Sequence, residues 1–154
     1  MKKIIFAIIF TAFFITSIKA QVSSLVIGVD GFTCSLCAKG VEEQFKSLDY
    51  VKSVKTDLKK TEFTLTFKKN PKVELSQIKD AVNDGGFSVR DIRVVAKGSI
   101  KGSESTGYYL ITPNANKISL KGVNGNFSEG DKVSVKGKVN NEITFINVTS
   151  IKKM

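Results

Sequence analysis

The sequence predicts an α+β protein in which a βαββαβ domain is followed by a small all-β barrel. Two observations carry this prediction. Residues 24–95 alternate between a strand-like period of two and a helix-like period near 3.6, whereas no helical period occurs from Lys97 onward. In that second part, glycines separate short apolar stretches, which is typical of antiparallel strands joined by tight turns.

The first twenty residues have the order of a secretory signal peptide. Lys2 and Lys3 precede an apolar run over 4–15, and a small residue, Ala20, ends the segment. A permanent membrane anchor is the alternative, but a spanning helix needs about 20 apolar residues. We therefore expect cleavage after Ala20, no membrane span afterwards, and an exported protein, periplasmic or secreted. Cleavage removes three lysines and no acid, which lowers the formal net charge from +10 to +7.

Hydrophobic spacing predicts six elements between residues 21 and 96. In chain order they are a buried strand at 25–29, a helix over 37–48, strands at 50–58 and 62–68, a helix over 75–85 and a strand at 87–95. This order is that of a ferredoxin-like domain, in which two helices cover one face of an antiparallel four-stranded sheet. The sequence thus predicts a ferredoxin-like domain over 21–96, after a signal peptide over 1–20.

The remaining residues, 97–154, are predicted to form the barrel. Five stretches read as strands: 94–100, 108–112, 117–123, 132–139 and 142–150. Glycines at 98, 102, 107, 122, 125, 130 and 137 punctuate these strands, which favours a small antiparallel barrel. The closing segment, "EGDKVSVKGKVNNEITFINVTSIKK", is similar to the second half of an OB-fold, so the barrel is expected to be OB-like.

The chain has two cysteines: Cys34 lies just before the first predicted helix and Cys37 lies at its start. A disulfide between them would close a very short loop, for which the entropic stabilisation is small. The chain has no histidine, so its own soft ligands cannot complete a four-ligand zinc site. Unpaired N–H groups at a helix start favour a thiolate, and two thiolates suit Cu(I).

The segment "VIGVDGFTCSLCAKGVEEQFKSLDYVKSV" resembles the opening of a heavy-metal-associated domain, and the resemblance extends over about residues 25–94. This module occurs in copper chaperones, copper-transporting P-type ATPases and mercury-scavenging proteins. The resemblance implies that Cys34 and Cys37 are the metal ligands and that Thr33 shapes their loop. Phe32 stands where the family usually has Met. Phe87 matches an aromatic residue near the loop, and we expect both phenylalanines to be packing residues.

The resemblance implies a metal-binding protein, a metallochaperone or a sequestering protein, that holds Cu(I) at Cys34 and Cys37. The implied partner is a metal-transporting ATPase or another thiol-bearing acceptor. Hg(II), Zn(II) or cadmium binding by the same pair stays open. Lys39 could neutralise a bis-thiolate centre, although an exposed helix lysine needs no such role.

Functions other than metal binding fit the sequence less well. A thiol-disulfide redox protein also places Cys-x-x-Cys at a helix start, but here no proline stands between the cysteines. The absence of histidine and of a phosphate-binding loop favours a non-enzyme. The basic barrel could dock on an acidic protein or a membrane surface, or serve as a scaffold, whereas the export signal argues against nucleic acid.

Overall fold

The computed structural model describes residues 22–32, 34–69, 72–112 and 117–154, so the predicted signal peptide and Thr33 lie outside the described residues. The elements in chain order are β1 Val22–Asp30, α1 Ser35–Ser47, β2 Val51–Asp57, β3 Glu62–Phe67, α2 Leu75–Asp84, β4 Ser88–Ser103, β5 Gly107–Ile111, β6 Lys117–Lys121, β7 Lys132–Val139 and β8 Phe145–Lys153. Within these ranges α1 has 13 residues and α2 has 10, and no helix is long and apolar enough to cross a membrane.

The first half has the predicted ferredoxin-like fold. Its strands are ordered β2-β3-β1-β4, and every neighbouring pair is antiparallel. The apolar stripes of α1 and α2 are buried and the two helices touch each other, so both cover one face of the sheet. Alternate strand residues fill the core beneath them, as with Leu25 and Ile27 of β1 and Phe63 and Leu65 of β3, all fully buried.

Strand β4 links the two halves because it is one continuous strand of 16 residues. The predicted strands at 87–95 and 94–100 are therefore a single element, and residues 96 and 97 both lie inside it. Residues 88–96 pair with β1, residues 92–99 pair with β7 on the opposite edge, and residues 99–103 pair with β5. The edge that β4 would expose in a lone four-stranded sheet is thus covered by β7.

The second half is a closed barrel of five strands, which confirms that this part is mostly β. The pairings run from β4 to β5, β6, β8 and β7 and back to β4. All are antiparallel except β6 with β8, which is parallel. The barrel interior is filled by buried aliphatic side chains from all five strands: Ile100, Leu110, Leu120, Val133, Val135 and Ile146.

Gly98 and Gly137 lie inside β4 and β7, as they lie inside the predicted strands at 94–100 and 132–139. A Cβ on Gly98 would stand 2.7 Å from the carbonyl oxygen of Ile111, and one on Gly137 would collide with the carbonyl oxygen of Asn147. These residues are glycine because neighbouring backbones approach them closely. Gly130, by contrast, precedes β7 with φ +92°, as a turn residue does.

Candidate metal site

The two cysteines meet at the start of α1. Cys34 is the N-cap residue, with an extended backbone, and its Sγ accepts a hydrogen bond from the backbone N–H of Cys37 at 3.1 Å. Cys37 lies in the first helical turn. Their Cα atoms are 5.4 Å apart and their sulfurs are joined in a disulfide. Cys34 is exposed and Cys37 is half-buried, so one sulfur lies at the surface and the other sits on a fixed helical turn.

An aromatic cluster lies beneath this loop. Phe32 is only 3% exposed, and its ring centroid lies 5.5 Å from that of Phe63 and 5.9 Å from that of Phe87. Gly31 has φ +100°, and a Cβ there would stand 3.4 Å from the Phe87 ring. The structure thus brings Phe32 and Phe87 together as packing residues, and it requires glycine at the bend before them.

The Arg90 side chain is a second anchor of the loop, and the sequence did not predict it. Arg90, near the start of β4, donates from Nη1 to Asp30 Oδ1 at 3.0 Å and to Thr61 Oγ1 at 2.8 Å. Its Nη2 donates to the carbonyl oxygen of Lys60 at 2.9 Å. The backbone N–H of Val29 also donates to the Thr61 carbonyl oxygen at 2.9 Å. These bonds join the end of β1, the β2–β3 turn and the start of β4 at the point where the cysteine loop begins.

The surroundings of the cysteines supply few other ligands. Within the described ranges, no group of three or more His, Cys, Asp or Glu side chains could hold a metal ion. Leu36, between the two cysteines, is 80% exposed, and Lys39 is exposed on α1. The pair of sulfurs therefore lies beside an open, partly apolar rim.

The acidic residue of α1 nearest to the cysteines along the chain, Glu42, already has other hydrogen-bond partners. Glu42 accepts hydrogen bonds from Lys46 Nζ at 2.7 Å and from Thr56 Oγ1 at 2.7 Å. The bond from Lys46, followed by the one from Thr56, lowers the pKa of Glu42 below its usual value of 4.5. Glu42 therefore connects α1 to β2 and is already satisfied there as a hydrogen-bond acceptor.

Comparison with known proteins assigns this first half to a family. The sequence model of the heavy-metal-associated domain matches residues 26–88. The copper chaperone CopZ of Staphylococcus aureus, strain bovine RF122 / ET3-1, is 31% identical over 67 residues, which cover 44% of this chain and 97% of CopZ. The chain belongs to the heavy-metal-associated domain family. Both cysteines lie within the matched domain, whereas β5 to β8 lie outside it.

Solved structures also match this heavy-metal-associated domain. The CopZ metallochaperone is 31% identical, covers 44% of this chain and 98% of its own, and has a TM-score of 0.41. The oxidized MerP from Ralstonia metallidurans CH34 is 26% identical, covers 46% of this chain and 97% of its own, and has a TM-score of 0.38. The yeast copper transporter domain Ccc2a is 27% identical, covers 44% and 90%, and has a TM-score of 0.40.

Proposed function

We propose that this protein is an exported carrier that binds Cu(I) between the thiolates of Cys34 and Cys37 and transfers it to a thiol-bearing acceptor, or sequesters it. One observation carries the proposal: the N-cap position of Cys34 and the first-turn position of Cys37 bring the two sulfurs to one point. Two sulfurs that can bond to each other can, once reduced, both reach one soft ion between them.

Copper is favoured over the other metals by the number of ligands. A structural zinc site takes four ligands, and the described residues offer no third or fourth one beside the cysteines. The relatives named as copper chaperones support the same choice. Hg(II) remains the alternative for the same sulfurs, and expression of the protein after exposure to copper or to mercury would separate the two metals.

Transfer is supported by the unequal exposure of the two sulfurs. An incoming thiolate can approach at exposed Cys34, while half-buried Cys37 holds the ion on its helical turn. A two-coordinate ion has room for this third thiolate, so exchange can proceed stepwise without release of free metal. A metal-transporting ATPase with an exposed cysteine pair is the acceptor that we propose.

Export has a chemical consequence for this site. Disulfides form and persist outside the cytoplasm, so Cys34 and Cys37 must be reduced before either can bind metal. We propose that the predicted signal peptide, residues 1–20, is cleaved and that a dithiol reductant keeps the exported pair reduced. Cell fractionation, together with the N-terminal mass of the extracytoplasmic protein, tests the export directly.

The experiment that tests metal binding is a Cu(I) titration of the reduced full chain against a competing chelator. A one-to-one complex is expected, and it should be lost in both Cys34→Ser and Cys37→Ser. Ser35→Ala, between the two cysteines, is the matched control and should bind as the unmodified protein does. Persistence of the one-to-one complex in either cysteine variant would overturn the proposal.

A thiol-disulfide redox protein is the second candidate, and the Cys34–Cys37 disulfide is the observation that favours it. We favour a binding protein over an enzyme because the matched family is one of metal-binding domains. An insulin-reduction assay distinguishes the two candidates, since a carrier should give no turnover. Turnover that depends on both cysteines would instead assign the pair to redox catalysis.

We also propose that the barrel is OB-like. Strands β4, β5 and β6 follow one another, and β7 returns through ten residues to lie beside β4. The order β7-β4-β5-β6 is a Greek key, and a five-stranded Greek-key barrel is the architecture of the OB-fold.

A further inference from the structure

One outward face of the barrel carries two aromatic side chains that the core does not use. Tyr109 of β5 lies opposite Ser119 of β6, and Ser119 lies opposite Phe145 of β8. Their chain neighbours Leu110 and Ile146 point inward and are buried. Tyr109 and Phe145 are half-buried, and neither belongs to the apolar side chains that pack against the buried core.

Two lysines of the central strand flank this row. Lys117 and Lys121 stand two residues on either side of Ser119, and their ammonium groups lie 3.8 Å from the Tyr109 ring centroid and 4.0 Å from the Phe145 ring centroid. Within the described part of the chain, neither lysine forms an ion pair with a carboxylate. We call these five residues the β5–β6–β8 platform.

Two other lysines of the barrel are paired with carboxylates. Lys101 lies 3.5 Å from Glu129, and Lys153 lies 2.7 Å from Asp131. The platform differs from them because its two ammonium groups lie over aromatic rings with no carboxylate partner among the described residues, and this combination matches a ligand that has both rings and anionic groups.

We propose that the β5–β6–β8 platform binds an anionic polysaccharide, a chain of sugar rings that carry carboxylate groups. The carboxylates would pair with Lys117 and Lys121, and a sugar ring would sit over Ser119 with its C–H faces against the flanking aromatic rings. The hydroxyl groups of Ser119 and Tyr109 can hydrogen-bond to sugar hydroxyls. This site is separate from the cysteine pair and does not depend on the proposed metal transfer.

The spacing of the strands that carry the two rings favours a sugar over a nucleobase. Neighbouring strands lie about 4.8 Å apart, so the strands of Tyr109 and Phe145 are about 10 Å apart, with only Ser119 between them. A flat base stacked between two rings needs about 7 Å, twice the stacking distance of about 3.4 Å. A puckered sugar ring is thicker than a base and therefore suits the wider gap better.

The test measures binding of the full chain to polygalacturonate, with an oligo(dT) strand and polyglutamate as competing probes in the same buffer. Lys117→Gln/Lys121→Gln and Tyr109→Thr/Phe145→Thr should each weaken polygalacturonate binding about tenfold. Thr is chosen because it removes the ring and is favoured in strands. If the aromatic variant fails to fold, the lysine variant still tests the proposal.

The control is Lys132→Gln/Lys136→Gln, which removes the same charge from β7, a strand that does not pair with β6. This control should retain its affinity, and Cys34→Ser/Cys37→Ser should bind as the unmodified protein does. The proposal is overturned if the control weakens binding as much as the platform variants, if oligo(dT) or polyglutamate binds more tightly than polygalacturonate, or if polygalacturonate does not bind.

Discussion

Arg90 Nη1 donates a hydrogen bond to Asp30 Oδ1 at 3.0 Å, and Asp30 is the last residue of β1, four positions before Cys34. The same guanidinium group reaches Thr61 and the carbonyl oxygen of Lys60 in the β2–β3 turn. One side chain therefore fixes the point at which the cysteine loop leaves the sheet. Because the loop's other end is fixed by α1, both ends of the proposed metal site are held.

Arg90→Gln should therefore weaken Cu(I) binding about tenfold, because a looser loop loses more conformational freedom when both sulfurs must meet one ion. The free energy of unfolding should fall by about 1 kcal/mol, the usual loss for hydrogen bonds of this kind. Competition titration with a Cu(I) chelator measures the first effect, and urea unfolding measures the second.

Arg93→Gln is the matched control for this variant. Arg93 pairs with Glu62 at 2.6 Å and with Asp91 at 2.9 Å, on the same sheet, but none of its ion pairs is with Asp30. The Arg93→Gln variant should be less stable than the unmodified protein but should keep its Cu(I) affinity. Equal affinity losses in the two variants would show that Arg90 acts through general stability and not by positioning the loop.

The Phe32 side chain gives a second prediction, on stability. It is 3% exposed and packs against the rings of Phe63 and Phe87. Phe32→Ala should lower the free energy of unfolding by about 3 kcal/mol, because it leaves a cavity in the core. Phe32→Met should cost only about 1 kcal/mol, since Met refills most of the volume. Urea unfolding of both variants tests this, and an Ala variant as stable as the Met variant would contradict it.

The sequence predicts the first half of the fold well because its signals are local. A stripe such as Val41 and Phe45 specifies a helix face, and the alternation of Phe63 and Leu65 specifies a strand face. The approach of Cys34 to Cys37 is local as well, since both belong to one helix start. The Arg90 network could not be predicted in the same way, because it depends on the register between β1 and β4, which places Asp30 opposite Ser88.

The junction between the halves was harder to predict for another reason. Glycine marks both a turn and a close approach between two strands, and the sequence alone does not distinguish Gly98 inside β4 from Gly130 before β7. The predicted boundary between residues 96 and 97 divided one long strand into two predicted strands, 87–95 and 94–100. Only the pairing of β4 with both β1 and β7 shows that the strand continues through residues 96 and 97.

A third prediction compares two glycines with opposite surroundings. Gly137 lies in β7, and a Cβ there would collide with the Asn147 carbonyl oxygen and with Ile146 Cγ2, so Gly137→Ala should destabilise the protein by about 2 kcal/mol. Gly40 lies in α1 with nothing within 4 Å of an added Cβ, so Gly40→Ala should stabilise it by about 1 kcal/mol. Thermal unfolding measures both, and shifts of the same sign would contradict the prediction.

The fourth prediction concerns the acid range of stability. Hydrogen bonds from Lys46 and Thr56 lower the pKa of Glu42 below 4.5, so its ionised form favours the folded state. Its contribution is therefore present above pH 4.5 and is lost as the pH falls through the lowered pKa of the folded protein. Glu42→Gln should be less stable than the unmodified protein by about 0.5 kcal/mol near pH 7, and this difference should vanish in strong acid.

Urea unfolding of both proteins between about pH 7 and pH 3 measures this difference. Lys46→Met supplies the control, because it removes the hydrogen bond that lowers the pKa of Glu42 most and keeps the one from Thr56. In the Lys46→Met protein, Glu42→Gln should lower the free energy of unfolding by less near neutral pH. The double-mutant cycle then gives the coupling free energy between the Glu42 and Lys46 side chains. A difference between the unmodified protein and Glu42→Gln that is constant across the pH range would show that the Glu42 charge does not stabilise the contact between α1 and β2.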